Sequence, residues 1–160
     1  QGITCYFVFS DLYFNIIWNR KGYEIMIITE YGNEKYKIRL EALSTNGRGL
    51  NIFVTGGDTP HVGAVALAVP SANAATGETT CDINIITAYG HKDRFLAEKV
   101  ADLVCRQTGE IVSVTAGVHV DDATGNDLRT LIENTITAAE NFLGDYLTES
   151  VNKAKEGVVE

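Results

Sequence analysis

The sequence predicts an α/β sandwich: a single mixed, largely antiparallel sheet with one parallel strand–helix–strand unit and two main helices packed on it. Three observations carry that expectation. Short alternating or apolar runs separated by Gly/Asn turns fill the first half of the chain, the pattern of a strand meander. Helical periodicity appears only in the second half. One β-branched run lies between the two helical stretches and gives a strand–helix–strand order. At 160 residues and 45 % hydrophobic, the chain suits one domain with a sizeable core. That domain is expected over 23–147, after an aromatic extension over 1–22 and before a polar, fraying tail over 148–160.

Taken in order, Gln1-Gly2 reads as the scar of a cleaved tag. "ITCYFVFSDLYFNIIW" is rich in aromatic and β-branched residues and predicts a hairpin or an edge extension, one that could cover a subunit interface. It has no basic leader, no A-x-A site and internal Asp and Asn, so neither a signal peptide nor a membrane span is expected. "YEIMIIT" predicts a strand and "YGNE" a turn. "KYKIRLEA" alternates, with Tyr36, Ile38, Leu40 and Ala42 on one face and Lys37, Arg39 and Glu41 on the other. "LNIFVT" alternates again. "GAVALAV", Gly63 to Val69, is apolar on both faces and predicts a central strand covered on each side. "TTCDINIITA" predicts a further strand with Cys81, Ile83 and Ile85 on its apolar face.

The first helix is expected in "HKDRFLAEKVADLVCRQTG", with Gly109 as its stop. "EIVSVTAG" follows as a short buried strand. Its expected place is beside Thr79–Ala88 as a parallel neighbour. The second helix, in "ATGNDLRTLIENTITAAENFLGDYL", carries an apolar stripe from Leu128 to Tyr146, and Thr124 with Asp127 resembles a capping box.

With 13 basic against 21 acidic residues the net charge is −8, which argues against nucleic acid or an anionic membrane as the main partner. Three scattered cysteines without CxxC spacing predict a reduced, cytoplasmic protein with no zinc knuckle.

The three histidines all fall where an element meets a turn. His61 precedes the central strand, His91 opens the first helix, and His119 closes the buried strand. Binding groups concentrate in such connections. "YGHKD" sets Gly90, His91 and Lys92 at a helix N-terminus, which favours an anion. "TGGDTPHVG" offers Gly56, Gly57 and Gly63, where a backbone can approach a ligand closely. His61, His91 and His119 with Asp58, Asp82, Asp121 or Asp122 could also hold a divalent metal. No nucleophile elbow and no named phosphate motif is present. On the residues alone three readings stay open: a ligand-binding protein, a metal-dependent enzyme using the three histidines, and a structural or assembly subunit without a ligand.

"YEIMI", "YKIRLEA", "VTGGDTPHVGAVALAVP", "GHKD" and "VTAGVHVDDAT" together resemble the LpdD-like prenylated-flavin chaperones, over about Tyr23 to Leu143. The resemblance implies a non-catalytic accessory protein. It would bind prenylated FMN and deliver or protect it for a UbiD-type decarboxylase of hydroxyarylic acids, as in gallate decarboxylase systems. Implied with it are a homodimer, a flavin prenyltransferase as a second partner, and a cofactor site at Gly57, Asp58, His61, Gly63, Gly90, His91, Lys92, His119 and Asp121. After "AVALAVP" this chain continues "SANAATGE" where the family pattern has Arg-Pro-Ser, so it brings no arginine to the phosphate from that loop.

Overall fold

The computed structural model describes the backbone of residues 4–9, 12–17, 26–45 and 48–156, and side chains over 26–45 and 48–150. Strands β1 (Thr4–Phe9) and β2 (Leu12–Ile17) form an antiparallel hairpin in the aromatic segment. A six-stranded sheet follows, built from β3 (Met26–Tyr31), β4 (Ile38–Ser44), β5 (Leu50–Gly57), β6 (Ala64–Ala72), β7 (Thr79–Thr87) and β8 (Val112–His119). Helix α1 (Arg94–Thr108) connects β7 to β8, and α2 (Gly125–Glu156) closes the chain. The order across the sheet is β3-β4-β5-β8-β6-β7, with β5 and β8 parallel and every other pair antiparallel. This is the expected mixed sheet with two helices. Start residues 23–25 of the third expected strand lie outside the described residues.

Both helices pack on one face. There Ile38, Leu40, Ala42, Ile52, Val54, Val112 and Val114 meet Val100 and Val104 of α1 and Ala138, Ala139 and Phe142 of α2 in one core. Alanines 64, 66 and 68 of β6 point the same way and are fully buried, and their small side chains let α1 lie close over β6, β7 and β8.

The structure corrects four expectations. First, β7 and β8 run in the same direction but are not neighbours, because β6 lies between them and pairs antiparallel with both. The crossover through α1 therefore passes over β6, and the parallel partner of β8 is β5. Second, β6 is interior, but no helix among the described residues covers its second face. Leu67 is 42 % exposed and Ile86, in the row of Val65, is 78 % exposed. Third, Tyr36 is not in β4. Residues Glu34–Tyr36 form a 3-10 turn, which sends the Tyr36 hydroxyl to Asp127 at 2.5 Å. Fourth, α2 continues past Leu147 to Glu156 where a fraying tail was expected. Glu, Lys and Ala are good helix formers, and neither Gly nor Pro interrupts "TESVNKAKE".

The Thr124–Asp127 cap forms as the pattern predicts. The Thr124 amide and hydroxyl donate to Asp127 Oδ2 at 2.7 and 2.6 Å, and the Asp127 amide reaches back to Thr124 Oγ1. The Thr124 and Tyr36 hydroxyls, with the Thr124 amide and Lys35, hold the Asp127 carboxyl well below the usual aspartate range. No helix among the described residues is long and apolar enough to cross a membrane.

Candidate functional site

Strand order creates the site. Because β8 is inserted between β5 and β6, the loop joining those two strands must cross the C-terminal end of β8. That crossing lays 58–62 over His119. The amides of Asp58 and Thr59 donate to the His119 carbonyl at 2.7 and 3.4 Å. Two glycines permit the close approach. A Cβ at Gly117 would stand 1.7 Å from the His61 carbonyl oxygen, and one at Gly63 would stand 2.1 Å from Asp93 Oδ2. The C-termini of β5, β7 and β8 and the starts of β6, α1 and α2 all meet at this end.

His61, His91 and His119 lie together here. The rings of His61 and His91 are 4.6 Å apart and those of His61 and His119 are 6.2 Å apart. His61 Nε2 is 2.9 Å from His91 Nδ1 and 3.3 Å from Asp93 Oδ2. His91 Nδ1 is 3.5 Å from the same carboxylate oxygen. His119 turns aside to Asp121, with Nε2 3.0 Å from Oδ1, and the Asp121 amide donates to Asp58 Oδ2 at 3.1 Å. Gly57 lies against the His119 carbonyl.

Asp93 is the member absent from the candidate residues that the sequence motifs give. It is the N-cap residue of α1, a position where an Asp side chain normally accepts an amide of the first turn. Here it makes no such bond. Its Oδ1 instead accepts the Val118 amide at 2.8 Å, and Oδ2 faces the two histidines, with the side chain only 6 % exposed. The signal was in "GHKD", read as an anion site rather than for its carboxylate. His91 and Lys92 also precede the helix, which begins at Arg94. Lys92 is exposed, and Gly90 sits in the turn that folds the His91 amide back to the Ala88 carbonyl.

Of the other aspartates weighed, Asp82 pairs with Val69 well along the β6–β7 ladder from this end, and Asp122 is exposed after β8. Two exposed apolar side chains flank the cluster in sequence, Val62 beside His61 and Tyr89 just before His91. Their exposure could not be read from periodicity, since both lie outside regular elements.

A separate groove of about 610 Å³ runs between α1 and β7, lined by Cys81, Ile83, Phe95, Glu98, Lys99, Asp102 and Arg106. Its acidic and basic side chains are equal in number, and Arg106 is held by Asp102 at 2.7 Å. Cys105 behind it is buried, and that burial, together with Cys81, pushes its thiol up to about 12. Such a thiol is a poor nucleophile.

Residues 32–146 match the family model of the prenylated flavin chaperone LpdD-like domain. The chain belongs to that family. A curated relative, the protein LpdD of Lactiplantibacillus plantarum, is 34 % identical over 82 residues, which are 51 % of this chain and 57 % of the relative. The chain thus spans little more than half the length of that relative. The matched region includes all three histidines, α1 and the first two thirds of α2 but leaves the aromatic hairpin outside.

Proposed function

We propose that this protein is a non-catalytic carrier of prenylated FMN that passes the cofactor to a UbiD-type decarboxylase. The observation that carries it is the rim around His61 and His91. Imidazoles and close-approached backbone stand there, and the exposed Lys92, Val62 and Tyr89 flank the two histidines in sequence. A flavin is a flat, largely apolar ring system with a phosphate tail, and such ligands take apolar walls with a few placed polar groups. Lys92 supplies the point charge for the phosphate. Gly57, Asp58, Gly63, Gly90, His119 and Asp121 shape the loops around it. In this reading the donor is a flavin prenyltransferase, the protein works in the cytoplasm, and two copies associate through the sheet face that carries no helix among the described residues.

Spectral titration with reduced prenylated FMN and with its dephosphorylated analogue tests the reading. Lys92→Ala should weaken the phosphorylated ligand about ten- to a hundredfold, the worth of one charge-assisted contact, and spare the analogue. His61→Ala should weaken both. Equal loss of both ligands in Lys92→Ala would remove the phosphate from "GHKD", and no loss in either variant would place the cofactor elsewhere.

A further inference from the structure

His61 Nε2, His91 Nδ1 and Asp93 Oδ2 form a triangle with sides of 2.9, 3.3 and 3.5 Å. A tetrahedral zinc ion with bonds of 2.0–2.1 Å holds its ligand atoms about 3.3 Å apart. A point about 2.05 Å from all three atoms lies only about 0.8 Å off their plane, which is the shape of a tetrahedral face. The three groups are among the described His, Cys, Asp and Glu side chains close enough to share one ion.

Hydrogen bonding sharpens the case. His61 Nδ1 is 3.1 Å from the Thr59 carbonyl oxygen, which can only accept, so that ring nitrogen carries the proton. In the neutral ring Nε2 is then a bare lone pair aimed into the triangle. Asp93 Oδ1 is engaged by the Val118 amide, which leaves Oδ2 aimed at the same point. With both rings neutral, the only proton available among the three atoms is on His91 Nδ1. His61 Nε2 and Asp93 Oδ2 then remain two acceptors 3.3 Å apart. A cation between them relieves that repulsion. The carbonyl behind His61 and the amide behind Asp93 are the outer partners that orient metal ligands and set a histidine's tautomer.

We infer that His61, His91 and Asp93 bind one zinc-class divalent ion, with the fourth tetrahedral position left to an exogenous oxygen ligand. The site stands on this geometry and not on flavin binding. His119, turned to Asp121, is not a ligand.

The test uses the metal-free full chain without flavin, titrated with Co²⁺ and then displaced by Zn²⁺. The expected result is one ion per chain and visible d–d bands of four-coordinate intensity, lost when Zn²⁺ is added. Losing even an outer-shell partner costs roughly 10- to 100-fold in metal affinity, so His91→Ala and Asp93→Asn should each cost more than about a hundredfold. The His91 side chain is 40 % exposed and lies outside the core, so its replacement should leave the fold intact, as far-ultraviolet circular dichroism would show. Asp82→Asn, distant on β7, should leave affinity unchanged. Octahedral spectra, binding indifferent to His91→Ala and Asp93→Asn, or loss of binding in His119→Ala with Asp93→Asn intact would each overturn the assignment. Flavin titration of the same variants separates failure of this site from failure of the cofactor reading.

Discussion

Thr29 shows how a single buried side chain sits at odds with its surroundings. It faces the helix layer opposite Leu40, is 1 % exposed, and its hydroxyl has no hydrogen-bond partner. A buried, unsatisfied hydroxyl costs stability, and valine has nearly the same shape without that group. Thr29→Val should therefore raise the unfolding free energy by about 1 kcal/mol, read as a higher urea midpoint with unchanged slope. An unchanged or lower midpoint would mean that the hydroxyl has an acceptor. Gly63 and Gly117 make the complementary point. Any side chain there would strike Asp93 or the His61 carbonyl, so space rather than chemistry explains those two residues.

Helix α2 carries its own conflict. Asp145 is half-buried with Oδ2 unpartnered, and burial, then the Glu149 carboxylate one turn on, pushes its carboxyl up to about 6. A raised carboxyl favours the protonated form in the folded state. Its stabilising share is thus complete below the ordinary aspartate value and lost as pH rises through about 6. Asp145→Asn should stabilise the protein at alkaline pH by about 1 kcal/mol or less, since partial exposure screens the charge. In acid the variant and the parent should melt alike. Thermal melts at both pH values check this, and a benefit that is equal at both would assign the effect to something other than ionisation. The α2 cap behaves oppositely, because Asp127 is held charged by its partners and the cap is lost only as strong acid protonates it.

At the scale of the molecule, the sheet presents one face to the helices and leaves the other without a helix among the described residues. Phe53, Thr115, Val65 and Ile86 form one row across β5, β8, β6 and β7, with Leu67 beside it. The flank toward β3 and β4 carries charged pairs beside the apolar Ile28 and Leu43, with Glu30 paired to Lys37 and Arg39, and Arg39 to Glu41. An apolar centre with a charged margin is the composition of an interface between proteins. The homodimer proposed above should use it. Leu67→Asp would then bury an unpaired charge and weaken association by about 3 kcal/mol, a hundredfold or more in dissociation constant. Sedimentation equilibrium would register the change, and a parent protein that is monomeric throughout would end the proposal.

Local pattern in the sequence by itself determined the element types. Ile38, Leu40 and Ala42 alternate with Arg39 and Glu41, and the structure buries the first set as that alternation requires. Thr124 and Asp127 announce the start of α2, and Gly109 ends α1 in the left-handed conformation. The three histidines were legible as joints between elements. Pairing was not legible, because periodicity records which face of a strand is apolar and not which strand lies beside it. The apolar alternate positions of β6 suggested cover on both sides, yet only the alanines meet a helix. Only the tertiary structure placed β8 between β5 and β6, and that insertion drives the connecting loop across His119 and sets His61 against His91. It also turned the Asp93 carboxylate from its own helix toward the histidines. Non-local packing over the whole sheet decided that choice, and no window of neighbouring residues contains it.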